Sequence, residues 1–539
     1  MLKQLIFSIV IVLLSLKNQA QDSLYKNPKL LVGLVVDQMR YDYLFRFWDK
    51  LGENGFKRMI KEGYLFKNAN YSYIPTYTAP GHATIYTGTT PSRHGIVANN
   101  WFDIAFGVSK YCVSDNRYNS VGTQTTEGEK SPDKMVVTTI GDEMKLMNNN
   151  HSKVISISLK DRSAILPGGH KANAAYWLSK EGKWITSSYY MNKLPNWVSA
   201  FNNERPASFY LGEKWEPMFP IMEYEESYSD DNEYEETHKW ESSPVFPHDF
   251  SVITKEHGYG VIKYTPMGNT MTKDFAIKTI KKEQLGTDKY TDLLAISFSP
   301  IDYIGHYYGP HSIEMEDAII QLDFEIGMLF KYIDKNIGKE NVVYFLTADH
   351  GAVNVPKYLM DQKVPSGYFD GDACVKLLNS EFKKQFGLDS IVKNYTNSQI
   401  HLTEDLIELN KLDKALINAE VIKIISGFSG VSKVISSSDI KVGTTDLVIS
   451  QVKKGYYEGR CGSLYIILKP GWIHNQSKGT THGSGYSYDT HVPLIFMGKG
   501  VKHGASNQKV NIEDIAPTIS SIINVSFPNG TTGKPLRFE

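Results

Sequence analysis

The sequence has few cysteines and no excess of positive charge. It contains 3 Cys in 539 residues, and 58 Lys and Arg against 59 Asp and Glu. Three cysteines cannot form a disulfide framework, and no pair has the CxxC spacing of a thiolate metal site. We therefore interpret Cys112, Cys374 and Cys461 as packed side chains. Without a basic field, nucleic acid is not expected as a binding partner.

Long apolar runs are missing as well, and the run near the N-terminus is short. Lys3 precedes the run Leu5 to Leu16, and a polar stretch ending at Ala20 follows it. This order is typical of a signal peptide, and the run is too short to cross a bilayer. We predict residues 1–20 as the signal peptide of an exported protein, periplasmic or secreted, with no stable membrane anchor. A membrane-tethering helix is the alternative, because Lys17 lies in the expected cleavage region.

The rest of the composition is that of a globular protein, with 41% hydrophobic and 22% charged residues. Several short runs are rich in β-branched and aliphatic residues, as strands buried on both faces are. They are Leu30 to Val36, Val154 to Ser158, Leu293 to Phe298, Val342 to Leu346, Leu464 to Leu468 and Val492 to Met497. Helical patterns cover Glu314 to Asp334 and Asp514 to Ile523. This alternation predicts an α/β fold with a largely parallel central sheet flanked by helices.

Two stretches interrupt this pattern and are predicted to be insertions over one core. The first, at about 168–282, is rich in Tyr, Trp, Pro and charge, and the second, at about 357–460, mixes helix with short strands. Within the first, Glu223 to Glu236 carries eight carboxylates and no basic residue, which is typical of a solvated loop. Calcium binding is the alternative, although the EF-hand spacing is absent. We expect residues 21–539 to form a single domain.

Acidic residues and histidines lie next to the ends of several predicted strands. They are Asp37, Asp302, His306, Asp349 and His350 after three strands, and His482 before a fourth. Each alone is more often a cap or a satisfied polar group than a ligand. In a parallel α/β sheet, however, the carboxyl ends of the strands meet at one edge, where ligands bind. Six such side chains at one edge favour a metal centre over capping.

The types of side chain indicate which metal is expected. Asp302 and His306 stand four residues apart, so on a helical turn they would face one way. Mixed imidazole and carboxylate ligands suit zinc. Three protein ligands with a fourth position open describe a catalytic zinc site rather than a structural one. The six side chains suffice for two such sites.

A hydroxyl and two cations are further candidates for the same edge. Thr78 is followed by Ala79 and Pro80, which predicts that Thr78 caps a helix whose free N–H groups favour an anion. Capping is one interpretation of Thr78, and attack on phosphorus by a metal-activated hydroxyl is the other. Lys160 and Arg162 follow a predicted strand. By themselves they could equally be a solvated charge cluster.

Six motifs in this order resemble those of the alkaline phosphatase superfamily. They are Asp37, Thr78 to His82 (TAPGH), Pro91 to Trp101 (PSRHGIVANNW), Asp302 to His306 (D-x-x-G-H), Ala348 to Gly351 (ADHG) and Thr481 to Ser484 (THGS). The resemblance extends to the C-terminal Asp514 to Thr518. Within the superfamily the chain is most similar to the PafA-type alkaline phosphatases, which are exported zinc enzymes with a Thr nucleophile.

The resemblance implies a role for each of these residues. One zinc ion would be held by Asp302, His306 and His482, and the other by Asp37, Asp349 and His350, with Thr78 as its reactive ligand. Asn99, Lys160 and Arg162 would contact the oxygens of the transferring phosphoryl group. Small-molecule phosphate monoesters are the implied substrates. The implied mechanism is attack by Thr78, a phosphothreonine intermediate and its hydrolysis by water.

Other members of the superfamily fit the sequence less well. Sulfatases need a Cys or Ser in a C/S-x-P-x-R signature, which TAPGH lacks. Nucleotide pyrophosphatase/phosphodiesterases share the Thr and the Asn, but they typically lack the pair that Lys160 and Arg162 resemble. A phosphodiesterase is therefore the main alternative, and a phosphate-ester binding protein without turnover is a further one. The sequence does not indicate an oligomeric state.

Overall fold

The computed structural model describes residues 27–212, 214–250, 258–441, 445–474 and 477–539. The predicted signal peptide lies outside these ranges. Within them, none of the helices combines the length and apolar character that a membrane crossing requires. Cys112, Cys374 and Cys461 are buried and make no disulfide, as expected for packed side chains.

The strands of the described residues are numbered in chain order. They are β1 (Leu30–Val36), β2 (Tyr64–Asn70), β3 (Asn100–Asp103), β4 (Val108–Tyr111), β5 (Ser120–Val121), β6 (Val154–Ser158), β7 (Ala174–Leu178), β8 (Trp184–Ser187), β9 (Lys214–Trp215), β10 (His248–Asp249), β11 (Asp292–Phe298), β12 (Val342–Thr347), β13 (Gly367–Phe369), β14 (Val392–Thr396), β15 (Gln399–Leu402), β16 (Val431–Ser436), β17 (Leu464–Leu468), β18 (Trp472–His474), β19 (His491–Val492), β20 (Leu494–Gly498) and β21 (Gly504–Asn511).

The α-helices of the same residues are named by their bounds. They are Tyr43–Arg46, Phe56–Glu62, Thr78–Thr87, Pro91–His94, Ile140–Met147, Asp161–Gly168, Asn196–Glu204, Ala207–Leu211, Met267–Glu283, Pro300–Tyr308, Ile313–Asn336, Pro356–Asp361, Gly371–Phe386, Glu404–Leu409, Lys414–Ser426, Ser437–Lys441, Leu447–Gly455, Ser487–Thr490 and Ile515–Ile522.

The main sheet is parallel at its centre and mixed toward its edges, where β21 pairs in parallel with β2 and the other pairs are antiparallel. Its strand order is β19-β2-β20-β12-β1-β11-β6-β7-β8-β5, with β21 added beside β2. The five central strands from β12 to β7 pair in parallel, whereas β20 and β8 pair antiparallel with them. Every residue of β1 is buried, as expected for a strand covered on both faces. The predicted α/β fold with a largely parallel central sheet is confirmed.

The middle of β1 shows how tightly this core packs. A Cβ atom on Gly33 would lie 2.4 Å from the hydroxyl oxygen of Tyr86 and 2.6 Å from the ring of Phe345. Tyr86 lies on the helix Thr78–Thr87, and Phe345 lies on β12. Glycine therefore allows this helix to pack directly against the sheet that carries the metal-ligand candidates.

Two of the runs predicted as strands form strands but do not join the parallel part of the main sheet. Leu464 to Leu468 forms β17, but it belongs to a separate antiparallel sheet with the order β14-β15-β17-β16. Val492 to Met497 splits into β19 and β20, and β20 pairs antiparallel with β12. Both runs are apolar because they are buried, and burial does not determine the sheet or the direction of a strand.

The two predicted insertions differ in how they relate to the main sheet. The first contributes β7 and β8 to that sheet before the chain leaves it. Its acidic stretch is only partly a solvated face, since Glu226 pairs with Lys50 and Glu235 is 1% exposed. The second contributes β14, β15 and β16 to the four-stranded sheet, whose fourth strand, β17, follows it, and this sheet has an apolar cluster of its own. The division of the chain into one domain with two insertions stays a prediction.

Candidate metal centre and nucleophile

The strand ends bring the predicted acidic residues together as expected. Asp37 directly follows β1, and its N–H donates to the carbonyl of Phe298 at the end of β11 over 3.1 Å. Asp302 lies on the helix Pro300–Tyr308 just after β11, and Asp349 follows β12. All three carboxylates are buried, with exposures of 3% or less. The central parallel strands thus place three acidic groups at one edge of the sheet.

One group of possible ligands contains Asp302, His306 and His482, as predicted. The Nε2 atoms of His306 and His482 lie 3.2 and 3.6 Å from Oδ1 of Asp302. Asp302 and His306 share one helix, so their four-residue spacing brings them to one side.

Backbone carbonyls hold these two imidazoles in place. Nδ1 of His306 lies 2.8 Å from the carbonyl of Thr480, and Nδ1 of His482 lies 2.7 Å from that of Thr76. A metal-binding histidine usually donates its second nitrogen in this way, which fixes the tautomer. With the proton on Nδ1, the Nε2 atom of each ring faces Asp302 and has a lone pair that can bind a cation.

A second group contains Asp37, Asp302 and His350. Nε2 of His350 lies 3.7 Å from Oδ1 of Asp37, and its Nδ1 lies 3.0 Å from the carbonyl of Gly351. Asp349, which was predicted as the third ligand here, lies at the border of the group, with its Oδ2 3.6 Å from the same Nε2. Asp302 is common to both groups. The allocation of Asp349 to a metal stays a prediction.

A carboxylate oxygen in the centre lacks a hydrogen-bond partner. Oδ1 of Asp37 is buried and accepts no hydrogen bond, whereas Oδ2 of Asp349 lies 3.2 Å from Nδ1 of His82. Burial and the neighbouring carboxylate of Asp349 raise the pKa of Asp37 well above its usual range, although Lys160 opposes the shift. A buried carboxylate oxygen without a partner is costly. The three carboxylates and three imidazoles of the centre are therefore a suitable set of ligands for divalent cations, as is typical of a metalloenzyme.

Lys160 lies inside the centre rather than at its rim. Its Nζ is 2.7 Å from Oδ2 of Asp37, it also donates to Oδ2 of Asp302, and it lies 4.9 Å from the ring centroid of Tyr303. Burial lowers its pKa, but the two carboxylates outweigh burial and raise it. The ammonium is therefore charged and is bound to candidate metal ligands. Its predicted contact with a phosphoryl group stays a prediction.

Thr78 does not cap its helix, contrary to the expectation. The capping position of the helix Thr78–Thr87 is Tyr77, with extended backbone angles, and no side chain makes a capping bond. Thr78 is therefore the first helical residue. Its Oγ1 lies 3.5 Å from Nε2 of His350 and is buried. The hydroxyl thus lies beside the second group, where it can serve as a nucleophile.

Asn99 lies at the N-terminus of the helix that begins with Thr78. Its Oδ1 accepts a hydrogen bond of 2.9 Å from the N–H of Ala79, next to Thr78. The half-buried guanidinium of Arg162 donates from Nη1 to the hydroxyl of Tyr111 over 3.3 Å. An amide and a guanidinium are groups that bind phosphate oxygens. The structure thus brings Asn99 next to the nucleophile candidate, and the predicted role of Arg162 stays a prediction.

Sequence reasoning did not assign a role to two residues of the centre. Nε2 of Gln38 donates to Asp302 over 2.7 Å, and its backbone N–H donates to Asp349 over 3.1 Å. His82 lies one turn after Thr78, with Nδ1 2.9 Å from the Thr78 carbonyl and 3.2 Å from Oδ2 of Asp349. His82 could have been found from the sequence, because it stands four residues after Thr78 and therefore on the same side of the predicted helix. Nothing in the sequence pointed to Gln38 beyond its position after Asp37.

The chain is similar to several known proteins over most of its length. The family model for type I phosphodiesterase / nucleotide pyrophosphatase matches residues 31–493. Alkaline phosphatase PafA of Elizabethkingia meningoseptica is 41% identical over 513 residues, which is 94% of each chain. The crystal structure of wild-type alkaline phosphatase PafA superimposes with a TM-score of 0.91 at 40% identity, over 95% of this chain and 98% of that chain.

Two further matches bear on the interpretation. A protein of Myroides odoratus named calcium-transporting ATPase is 46% identical over 518 residues, covering 95% of this chain and 94% of that protein. A PafA variant has also been solved, with one threonine changed to serine and one asparagine, one lysine and one arginine changed to alanine. The same four residue types occur in the same order here as Thr78, Asn99, Lys160 and Arg162.

Proposed function

The chain belongs to the type I phosphodiesterase / nucleotide pyrophosphatase family of the alkaline phosphatase superfamily, and we propose that it hydrolyses phosphate monoesters through a phosphothreonine at Thr78. The observation that carries this proposal is the position of Thr78. Its hydroxyl makes no capping bond and lies 3.5 Å from His350, at the border of two groups of carboxylates and imidazoles. The PafA relative is an alkaline phosphatase, which accords with monoester hydrolysis.

The proposal includes two zinc ions per chain. Asp302, His306 and His482 would hold one, and Asp37, Asp349 and His350 the other, next to Thr78. When bound, such ions lower the pKa of hydroxyl groups and stabilise negative charge on oxygen. The unpartnered Oδ1 of Asp37, which is buried, supports this occupancy.

The residues of the chain perform the remaining steps. The phosphoryl group binds at the N-terminus of the helix Thr78–Thr87, where backbone N–H groups and the helix dipole favour an anion. Asn99, Lys160 and Arg162 bind its non-bridging oxygens. Thr78 gives up its proton and attacks phosphorus in line with the ester oxygen, which leaves as the alcohol. Water then attacks the phosphothreonine from the opposite side and releases phosphate.

Most of the rate enhancement should come from positioning and charge. The transition state of phosphoryl transfer is loose and spreads negative charge over the equatorial oxygens. Fixed cations and N–H donors stabilise that charge without reorganising during the reaction. We also propose that the enzyme acts outside the cytoplasm, after removal of residues 1–20.

A panel of three esters of one chromogenic alcohol tests the proposal. Purified protein is assayed with nitrophenyl phosphate, bis(nitrophenyl) phosphate and nitrophenyl sulfate. We expect kcat/KM to be highest for the monoester and lowest for the sulfate. A higher kcat/KM for the diester would instead support a phosphodiesterase. Binding of phosphate without release of nitrophenol from any ester would support a non-catalytic binding protein.

A further inference from the structure

A pocket opens beside the candidate centre, between the main sheet and the second predicted insertion. One wall is formed by Ile74 and Tyr77 ahead of the nucleophile helix, and another by the turn of residues 481–486. The third wall consists of β17 and β18. The pocket has an internal volume of about 60 Å³, room for roughly four water molecules. A short alkyl chain or an aryl ring has a comparable size.

The lining of this pocket is mainly apolar. Ile74, Val353, Ile466, Leu468 and the ring of Trp472 contribute to it. At one end the imidazole of His474 has both nitrogens engaged, with the hydroxyl of Tyr395 at 2.8 Å and that of Ser398 at 2.7 Å. Burial lowers the pKa of His474 to about 4, so this ring is uncharged at neutral pH. Lys469 and Asp489 also line the pocket, but most of its surface is apolar, so it is suited to hydrocarbon rather than to a polyol.

The pocket is continuous with the candidate centre through two residues. His482 lines the pocket and belongs to the group with Asp302 and His306. Tyr77 also lines it and directly precedes Thr78. Their rings contact each other, with centroids 5.6 Å apart. A molecule in the pocket would thus lie against the His482 side of the centre.

The position of His482 relates this pocket to a substrate of Thr78. Thr78 lies beside His350, and the ring of His482 stacks on that of His350 with centroids 3.5 Å apart, so the His482 end of the pocket adjoins the place where a phosphoryl group would meet Thr78. A phosphate monoester carries its only carbon chain on the leaving oxygen. We propose that this pocket, called here the leaving-group pocket, binds the hydrocarbon part of the leaving alcohol. The inference rests on the proposed phosphatase activity. It predicts that the preferred substrates are phosphate monoesters of apolar alcohols rather than of sugars or other polyols.

A homologous series of alkyl phosphates from methyl to butyl tests the pocket. The alkoxides of this series have similar basicity, so chain length changes contact area and little else. Each methylene that becomes buried should raise kcat/KM about fourfold until the pocket is full. Hydrolysis of all members with equal kcat/KM would overturn the pocket and leave the phosphatase proposal intact.

A substitution that fills the pocket with a larger side chain is a second test. Leu468→Trp places a ring in it, and we expect kcat/KM for butyl phosphate to fall about tenfold or more while that for methyl phosphate changes less than about twofold. The control Leu409→Trp makes the same change at a residue that is 81% exposed, and both substrates should be unaffected. Equal losses for both substrates in Leu468→Trp would contradict the proposal.

A binding measurement keeps the inference testable if no ester is hydrolysed. Methylphosphonate and butylphosphonate cannot be cleaved, and their dissociation constants can be compared by calorimetry on the full-length protein. Tighter binding of butylphosphonate, abolished by Leu468→Trp, supports the pocket. Equal dissociation constants would overturn it, whereas absence of turnover alone would count only against the proposed function.

Discussion

The ammonium nitrogen of Lys160 lies 2.7 Å from Oδ2 of Asp37, and both side chains are buried. The same ammonium donates to Asp302, so this lysine connects the two groups of candidate metal ligands. Replacing it therefore affects the metal centre as well as any contact with substrate. Arg162 lacks this complication, since its described partner is the hydroxyl of Tyr111.

The first prediction concerns the nucleophile. Thr78→Ala should lower kcat for a phosphate monoester by several orders of magnitude, because it removes the attacking oxygen. Thr78→Ser should keep substantial activity, and its quenched reaction should contain phosphoserine by mass spectrometry. The melting temperature should change little, since the Thr78 hydroxyl makes no capping bond.

Thr87→Ala is the matched control for this substitution. Thr87 is a buried threonine on the same helix, and its hydroxyl donates to the carbonyl of Ala83 over 2.7 Å. Its replacement should lower stability by about 1 kcal/mol and leave kcat nearly unchanged. Wild-type turnover by folded Thr78→Ala would show that Thr78 is not the nucleophile.

The second prediction concerns the metals. Freshly purified active protein should contain about two zinc ions per chain, and chelation should abolish activity. Chelation should also lower the melting temperature, because the buried Oδ1 of Asp37 then lacks a partner. Excess zinc should restore both the activity and the melting temperature. Metal analysis by mass spectrometry gives the stoichiometry.

A single-ligand variant separates the two sites. His482→Ala should bring the zinc content down to about one per chain, whereas His491→Ala, which changes a histidine outside both groups, should retain about two. Active wild-type protein with less than about one zinc per chain would contradict the dinuclear centre.

The family and the core of the fold were predictable from the sequence, and both predictions are confirmed. Strands β1, β6, β11 and β12 are continuous apolar runs, and parallel packing requires that the residues after them meet at one edge. The sheet of β17 and the direction of β20 were not predictable, since both depend on distant partners rather than on local composition. At the centre, the sequence specified side chains but not the carbonyls that orient them, such as those of Thr76 and Thr480.

The third prediction concerns stability at alkaline pH. His248 is buried between Glu241 and Glu314, with ring nitrogens 2.8 and 3.1 Å from their carboxylates. Burial lowers the pKa of His248, but these two hydrogen bonds outweigh it and raise the pKa to about 9. A raised folded-state pKa stabilises the protein fully below the unfolded value, and this contribution is lost as pH rises through about 9. The shift from 6.5 to about 9 corresponds to a contribution of about 3 kcal/mol.

Melting temperatures of wild type and His248→Gln at about pH 6 and about pH 10 measure this effect. The variant should be clearly less stable at the lower pH, and most of the difference should disappear at the higher pH. His503→Gln, at an exposed histidine, should show no such pattern. A stability difference that is the same at both pH values would show that charge on His248 does not contribute.

The fourth prediction distinguishes the two ester classes. A phosphate monoester presents two negative charges and three free oxygens, whereas a diester presents one charge and carries a second carbon chain in place of one oxygen. Lys160 and Arg162 should therefore favour the monoester. A charge-assisted hydrogen bond contributes about 1.5 to 3 kcal/mol, so removing Arg162 alone should lower kcat/KM for the monoester about tenfold to a hundredfold. Diester hydrolysis should fall much less.

Comparing Arg162→Ala with Lys160→Ala then separates substrate binding from support of the centre. Arg162→Ala should keep the full zinc content, because Arg162 contacts none of the six candidate ligands through the hydrogen bonds and ion pairs of the described residues. Lys160→Ala removes the cation between Asp37 and Asp302, so it should change zinc content or affinity as well as monoester selectivity. Arg93→Ala, at an exposed arginine, serves as the charge control. If Arg162→Ala reduced kcat/KM equally for monoester and diester, Arg162 would only support the site, and a phosphodiesterase function would become the better interpretation.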